Sequence, residues 1–207
     1  MYLAILALSI VSYLLGSIPF GHIFAKWNGV NIRQRGSGNI GATNVGRSLG
    51  FNWFIVTFAA DAAKGFCAVQ LLRLLPFEPK VGIYILIGGM AIVGHVFTCW
   101  LHFRGGKAVA TSFGVLVALL PWGYAVVALG AFLAAFLPSR QVSLGSITAV
   151  VAVVIAKFFF GGGLNGESFE LTLFVVGVLV LFIITHRENI KRLRSGTENK
   201  VNLPRSP

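Results

Sequence analysis

An all-α, polytopic integral membrane protein of about seven transmembrane helices, N-terminus outside and C-terminus cytoplasmic, is the fold this sequence predicts. Three observations lead there. Apolar residues make up 56% of the chain and charged residues 11%, with a mean hydropathy of +0.83, values that no ordinary soluble domain of this size approaches. Long apolar runs alternate with polar, glycine-rich or charged segments, and Lys and Arg gather in those segments. At roughly 20 apolar residues per span of a bilayer core about 30 Å thick, helices, short loops and a basic tail use up the whole length. The chain therefore reads as a single domain over residues 1–207.

The first run, residues 3–25, lacks a basic segment before it and is followed by Lys26, Arg33 and Arg35. That pattern predicts a retained span with its N-terminus outside rather than a cleaved signal peptide. Further runs lie at 53–74, 81–101, 111–137, 142–160 and 171–185. Six crossings would return the tail bearing Arg187, Lys191, Arg192 and Arg194 to the outside, against the positive-inside rule. One run must turn back. As one straight helix, 111–137 would be about 40 Å long at 1.5 Å per residue, and it contains the break signal Pro121-Trp122-Gly123. Two short crossings there give seven spans. The loops 26–52, 102–110 and 138–143 and the tail from 186 then lie inside with 13 of the 17 Lys and Arg residues. Arg73, Lys80 and Lys157 remain outside, beside Glu78, Glu167 and Glu170. Gly36 and Gly196 are expected to be cytoplasmic and Gly163 external. A six-span arrangement with a re-entrant hairpin elsewhere is the alternative.

A net charge of +11 would raise nucleic acid as a partner of a soluble protein. Here the cations lie between spans, as expected near anionic lipid or anionic substrates, and no recognition helix or base-stacking module accompanies them. Cys67 and Cys99 sit inside apolar runs without CxxC spacing and read as small buried hydrophobes. No metal, no cofactor and no obligatory protein partner is expected.

The first inner loop reads Gly36-Ser37-Gly38-Asn39-Ile40-Gly41-Ala42-Thr43-Asn44-Val45-Gly46-Arg47. It contains both a GxGxxG and a Walker-like GxxxxG, but each fingerprint needs a strand before and a helix after within a βαβ unit. What survives is the shared physics. Glycines let successive backbone N–H groups face one anion, Ser37, Asn39, Thr43 and Asn44 add donors, and Arg47 adds a bidentate fork. The segment reads as a phosphate cradle, with a flexible glycine-rich linker as the plainer alternative.

The second inner loop, Arg104-Gly105-Gly106-Lys107-Ala108-Val109-Ala110-Thr111, opens directly into the next run. Lys107 near a helix start adds a cation where free N–H groups already favour anions; Arg104 reads equally well as a positive-inside anchor. Asp61 and Lys64 share a helical face at i, i+3 inside the second run, where an ion is costly unless paired or wet. They suit an internal pair or a substrate contact equally. His95 and His22 lie on apolar helices and read first as hydrogen-bonded core residues. His186 and Asn189, i, i+3 at a membrane exit, can reach one ligand together.

Absences narrow the chemistry. No His is followed five positions later by Asp, so the His-x4-Asp base pair of the common glycerolipid acyltransferases is missing. A Ser-His-Asp set is not identifiable, and the one Asp cannot build the metal site of the CDP-alcohol phosphotransferases. An enzyme of this composition works mainly by binding phosphate and neutralising charge.

Four segments in order, GSGNIGATNVGR, DAAKG, GHVFTCWLHFRGGKAVAT and HRENIKRLRSGTE, resemble the bacterial acyl-phosphate-dependent glycerol-3-phosphate acyltransferase family, PlsY. The likeness spans nearly the whole chain; Thr98 stands where the family often has Pro, a change expected to alter only local helix geometry. The resemblance implies seven membrane helices, a bacterial inner-membrane location with the active site facing the cytoplasm, and a role in phospholipid synthesis. It implies acyl transfer from acyl phosphate to glycerol 3-phosphate, giving lysophosphatidic acid and phosphate without acyl-CoA or acyl carrier protein as direct donor. Carried over by residue, Ser37, Thr43, Arg47 and Lys107 hold phosphate groups, and Ser143, His186 and Asn189 complete the pocket. Gly38, Asn39, Gly41, Asn44, Gly105, Gly106, Asp61, Lys64 and His95 join the substrate-binding candidates. A transporter of a phosphorylated solute is the second class, but no half of the chain repeats the other, as transporter folds commonly require.

Overall fold

The computed structural model describes residues 1–162 and 165–201; Gly163 and Arg205, which enter the topology argument, lie outside them. Among the described residues every regular element is helical, and the chain divides into two compact units, 1–120 and 121–207. The first holds α1 (Tyr2–Ser17), α2 (Phe20–Trp27), α3 (Ala42–Leu49), α4 (Phe51–Gln70), α5 (Val81–Val96) and α6 (Val109–Leu119). The second holds α7 (Gly123–Ser139), α8 (Val142–Phe160), α9 (Gly166–Thr185) and α10 (Arg187–Arg194).

Four stretches are long and apolar enough to cross a membrane: Tyr2–Trp27, Phe51–Leu74, Val81–Leu101 and Val142–Phe160. A fifth arises if α9 and α10, bent by 66°, count as one span, and α6 and α7 are shorter apolar helices. The run 111–137 is broken where Pro121-Trp122-Gly123 predicts, between Leu119 and Gly123. The run 3–25, read from sequence as one span, is also interrupted: Pro19 has no N–H to donate and restricts Ile18, so α1 stops and α2 starts afresh.

Packing in the first unit inverts the soluble pattern. Leu3, Leu6 and Ile10 of α1 are exposed while Ser9, Ser12, Gly16 and Ser17 are buried, because small residues let helices approach where lipid already solvates the large apolar ones. A Cβ on Gly16 would stand 2.1 Å from the Ala91 carbonyl oxygen, and one on Gly94 would stand 2.2 Å from that of Tyr13. Only glycine allows α1 and α5 to meet backbone to backbone. Ser12 Oγ donates to the Ile87 carbonyl at 2.6 Å across the same seam.

The carbonyls at the ends of α1 and α5 find side-chain donors. Lys64 Nζ donates to Ile18 O at 2.6 Å, Thr98 Oγ1 to Ser17 O at 2.5 Å and Tyr13 Oη to Phe97 O at 2.7 Å. Below the first polar loop, Ala25, Ile32, Ile40 and Val45 form a small core backed by Val30, Leu49, Trp53 and Leu101. In the second unit α8 packs against both α7 and α9. The backbone N–H of Val201 donates to Arg140 O at 2.8 Å, which fastens the tail to the α7–α8 turn.

Candidate active site

Asn44, in the first turn of α3, organises the first polar loop. Its Oδ1 accepts from the Ser37 N–H at 3.0 Å, and its Nδ2 donates to the carbonyls of Arg35 and Asn39 at 2.9 Å each and of Ile32 at 3.3 Å. Gly36 and Gly38 adopt φ of 54° and 68° to make the turn, the left-handed region that glycine enters without a Cβ penalty. Asn39 Oδ1 accepts from the Gly41 N–H at 2.8 Å, just before α3 begins. The two asparagines, expected as ligand donors, thus have these amide groups engaged by the loop itself. Ser37 and Arg47 are exposed and Thr43 is half-buried, so the side chains that bracket the cradle remain at its surface.

Gly105 and Gly106 lie against the C-terminal end of α5. Their N–H groups donate to Val96 O at 2.8 Å and His95 O at 3.1 Å. A Cβ on Gly105 would stand 1.9 Å from His95 O, and one on Gly106 would stand 2.3 Å from His95 Nε2. The pair therefore caps α5 and leaves Lys107 to follow, half-buried, before Ala108 turns into α6 at φ 60°. A guanidinium N–H of Arg33 donates to Arg104 O and ties the first polar loop to the second. Burial, then the Arg104 charge, lowers the Arg33 pKa from its ordinary value. Residues 26–52 and 102–110 carry Lys26, Arg33, Arg35, Arg47, Arg104 and Lys107 with no Asp or Glu, so this face is built for anions.

Asp61 and Lys64 form an internal pair, one of the two readings their spacing allows, with Oδ1 2.8 Å from Nζ and both residues almost fully buried. His95 joins them: its Nδ1 lies 3.0 Å from Thr111 Oγ1 and 3.6 Å from Asp61 Oδ1. The first unit thus brings together two sets, the exposed cradle cations and a sealed polar cluster.

In the second unit Glu198, absent from the sequence-derived candidates, is the hub. Its Oε1 accepts from Ser143 Oγ at 2.8 Å and Asn189 Nδ2 at 2.6 Å, and its Oε2 accepts from Arg192 Nε at 2.7 Å. Burial alone would raise the carboxyl pKa; the hydrogen bonds from Asn189, Ser143 and Arg192 and the Arg192 charge reverse this and hold it below the ordinary glutamate value. His186 caps the junction of α9 and α10 with Nδ1 2.9 Å from Phe182 O. A carbonyl oxygen can only accept, so the hydrogen of this contact is on Nδ1. Ser143 and Asn189 are thus joined through Glu198 within this unit, and His186 stands three residues before Asn189 at the start of α10. The signal for Glu198 was its rarity, one of six carboxylates in the chain and set in a basic tail.

The profile of the family described as "Glycerol-3-phosphate acyltransferase" matches residues 6–196. The chain belongs to that family. It is 44% identical over 195 residues to the glycerol-3-phosphate acyltransferase of Endomicrobium trichonymphae, covering 94% of each chain. It is 43% identical to that of Geotalea daltonii, covering 94% of this chain and 96% of the relative. Its fold is similar to crystal structures of PlsY, an integral membrane glycerol 3-phosphate acyltransferase, in two forms. The glycerol 3-phosphate form has a TM-score of 0.84 at 37% identity with 96% of each chain covered. The lysophosphatidic acid form has a TM-score of 0.82 at 37% identity, covering 96% of this chain and 95% of the other.

This glycerol-3-phosphate acyltransferase is accordingly an all-helical integral membrane enzyme of phospholipid synthesis, and its product is lysophosphatidic acid. The resemblance carried by the four sequence segments is thereby established.

Proposed function

We propose that this enzyme takes its acyl group from acyl phosphate, and that the substrates supply the proton chemistry themselves. The 1-hydroxyl of glycerol 3-phosphate attacks the acyl carbonyl carbon, and a phosphate oxygen of the donor accepts the hydroxyl proton. The bond between acyl carbon and donor phosphate breaks, releasing lysophosphatidic acid and inorganic phosphate. The observation that carries this reading is the pairing of six carboxylate-free cations in the two polar loops with the lack of a His-x4-Asp pair. An acyl phosphate is already activated, so proximity and charge stabilisation supply what a protein base otherwise would.

Ser37, Thr43, Arg47 and Lys107 hold the phosphate groups. Gly38, Gly41, Asn39 and Asn44 shape the cradle, and Gly105 and Gly106 set the position of Lys107. Ser143 and Asn189, held by Glu198, and His186 act in the same reaction, and the family match across 6–196 supports treating 1–207 as one catalytic domain. Seven crossings with the polar loops in the cytoplasm of a bacterial cell fit the break after Leu119 and the short helices α6 and α7. At 1.5 Å per residue α6 rises only about 16 Å. Its first turn, at Thr111, is linked through His95 to Asp61 near the middle of α4. Irregular backbone at such depth is tolerated where it is buried in protein or lines a wet cavity, which suits a loop that meets a phosphate.

Purified enzyme in detergent, given acyl phosphate and glycerol 3-phosphate, is expected to form lysophosphatidic acid and stoichiometric phosphate without a vesicle lumen. Absence of product under those conditions with folded enzyme would overturn the assignment of acyl phosphate as the donor.

A further inference from the structure

We infer that Asp61, His95 and Thr111 are positioning residues that set the Gly105-Gly106-Lys107 loop for catalysis, rather than groups that touch substrate. The inference rests on the assignment of Lys107 to phosphate. The three side chains come from α4, α5 and α6 and are 2%, 4% and 0% exposed, so they are sealed within the first unit. One branch of the contacts leads to the loop. Asp61, fixed by Lys64 at 2.8 Å, stands beside His95 Nδ1, which shares a hydrogen bond of 3.0 Å with Thr111 Oγ1. That bond orients the imidazole so that Nε2 fills the space where a Gly106 side chain would be, and the backbone carbonyl of the same histidine receives the Gly106 N–H at 3.1 Å. Lys107 is the next residue. A rotated His95 ring therefore moves Gly106, and through one peptide bond the cation beside it.

Lys64 serves the same arrangement from the other side. Its Nζ donates to Ile18 O at 2.6 Å and lies 5.7 Å from the centre of the Phe20 ring, so the ammonium is engaged on two sides and also ties α4 to the end of α1. An ion pair in an apolar surrounding is poor as a source of net stability but good at specifying one arrangement. Here what it specifies is the attitude of a histidine under a catalytic loop.

Thr111 offers the discriminating substitutions. Its Cγ2 methyl contacts the position of Gly65, 3.2 Å from a Cβ built there, while its hydroxyl makes the bond to His95. Thr111→Val keeps the methyl and removes the hydroxyl; Thr111→Ser does the reverse. The positioning role predicts that Thr111→Val lowers kcat at least tenfold and that Thr111→Ser stays within threefold of wild type. Packing alone predicts the opposite order. A second readout follows Lys107 itself: reductive methylation of the purified enzyme, with peptide mass spectrometry and Lys26 as internal reference. In Thr111→Val the labelling of Lys107 relative to Lys26 is expected to change at least threefold, and in Thr111→Ser it is unchanged.

Equal activity of the two variants, or a loss in Thr111→Val with Lys107 labelling unmoved, overturns the inference. Should Thr111→Val not fold, His95→Gln in the same two assays replaces it, with wild-type activity or wild-type labelling as the overturning result. Activity in Lys107→Ala reports separately on the phosphate assignment: if that variant keeps its activity, the Lys107 role fails while the labelling result still decides the link from Thr111 to the loop.

Discussion

At the scale of single residues, charge and hydrogen-bond geometry make the sharpest demands. Under the proposed assignment, Arg47→Ala and Lys107→Ala each remove a cation that holds substrate phosphate. A hydrogen bond to a charged group contributes about 1.5 to 3 kcal/mol, so each change is expected to lower kcat/KM between roughly tenfold and a hundredfold or more while the protein still elutes folded. Arg47→Lys is expected to be nearly as poor, since an ammonium lacks the planar fork. For His186 the proposal separates two outcomes: the acidic limb of the pH–rate profile persists in His186→Ala if donor phosphate is the base, and its disappearance with binding unchanged would mean a protein base. Glu198 gives a stability prediction instead. Its folded pKa is depressed, so its contribution is complete above the ordinary glutamate value of about 4.3 and is lost as pH falls through that value toward the folded one. Thermal unfolding from pH 7 downward is expected to show this loss in wild type and a weaker pH dependence in Glu198→Gln.

At the scale of elements, the location of each loop relative to the bilayer is testable, and the fold corrects the choice of probes. A cysteine at Gly36 would place Cβ 2.2 Å from Asn44 Oδ1 and break the cradle, and Gly196 has φ 71°, so exposed neighbours serve better. In a background without Cys67 and Cys99, Gln34→Cys and Ser195→Cys are expected to resist membrane-impermeant maleimide in intact cells, and Glu78→Cys to react. Reaction at Ser195→Cys would remove the seven-span count. The break after Leu119 was legible because Pro121 and Gly123 act through the backbone alone. The equally local break at Pro19 was not read, because the apolar run continues through it and hydropathy is blind to a missing N–H. The direction of the asparagine side chains was not legible either. Residue type says that Asn44 can donate; only the folded loop shows that its amide closes on Ile32, Arg35 and Asn39.

For the whole molecule, donor choice is the decisive property. On the proposed donor assignment, purified enzyme is expected to work with acyl phosphate and to show no comparable rate with acyl-CoA under the same conditions; equal rates would refute the assignment. The anionic character of the chemistry was legible from where the cations stand. The link from Asp61 through His95 to Gly106 was legible only in part: the i, i+3 pairing follows from helix geometry, whereas Thr111 meets His95 by tertiary packing. Glu198 escaped for the same reason, its contact with Ser143 spanning 55 residues.

That last contact also governs when the enzyme can become itself. Synthesis runs from the N-terminus and domains form in that order, so α8 is laid down well before the ribosome reaches the carboxylate that fastens Ser143, Asn189 and Arg192. Membrane insertion is therefore expected to finish before maturation does. A chain stopped after Thr197 retains every apolar helix and is expected to insert normally, yet its terminal segment should be cut by a protease added to inverted vesicles under conditions where the full-length protein survives. A stop codon in place of Glu198 would then abolish the enzyme after the membrane machinery had already accepted it.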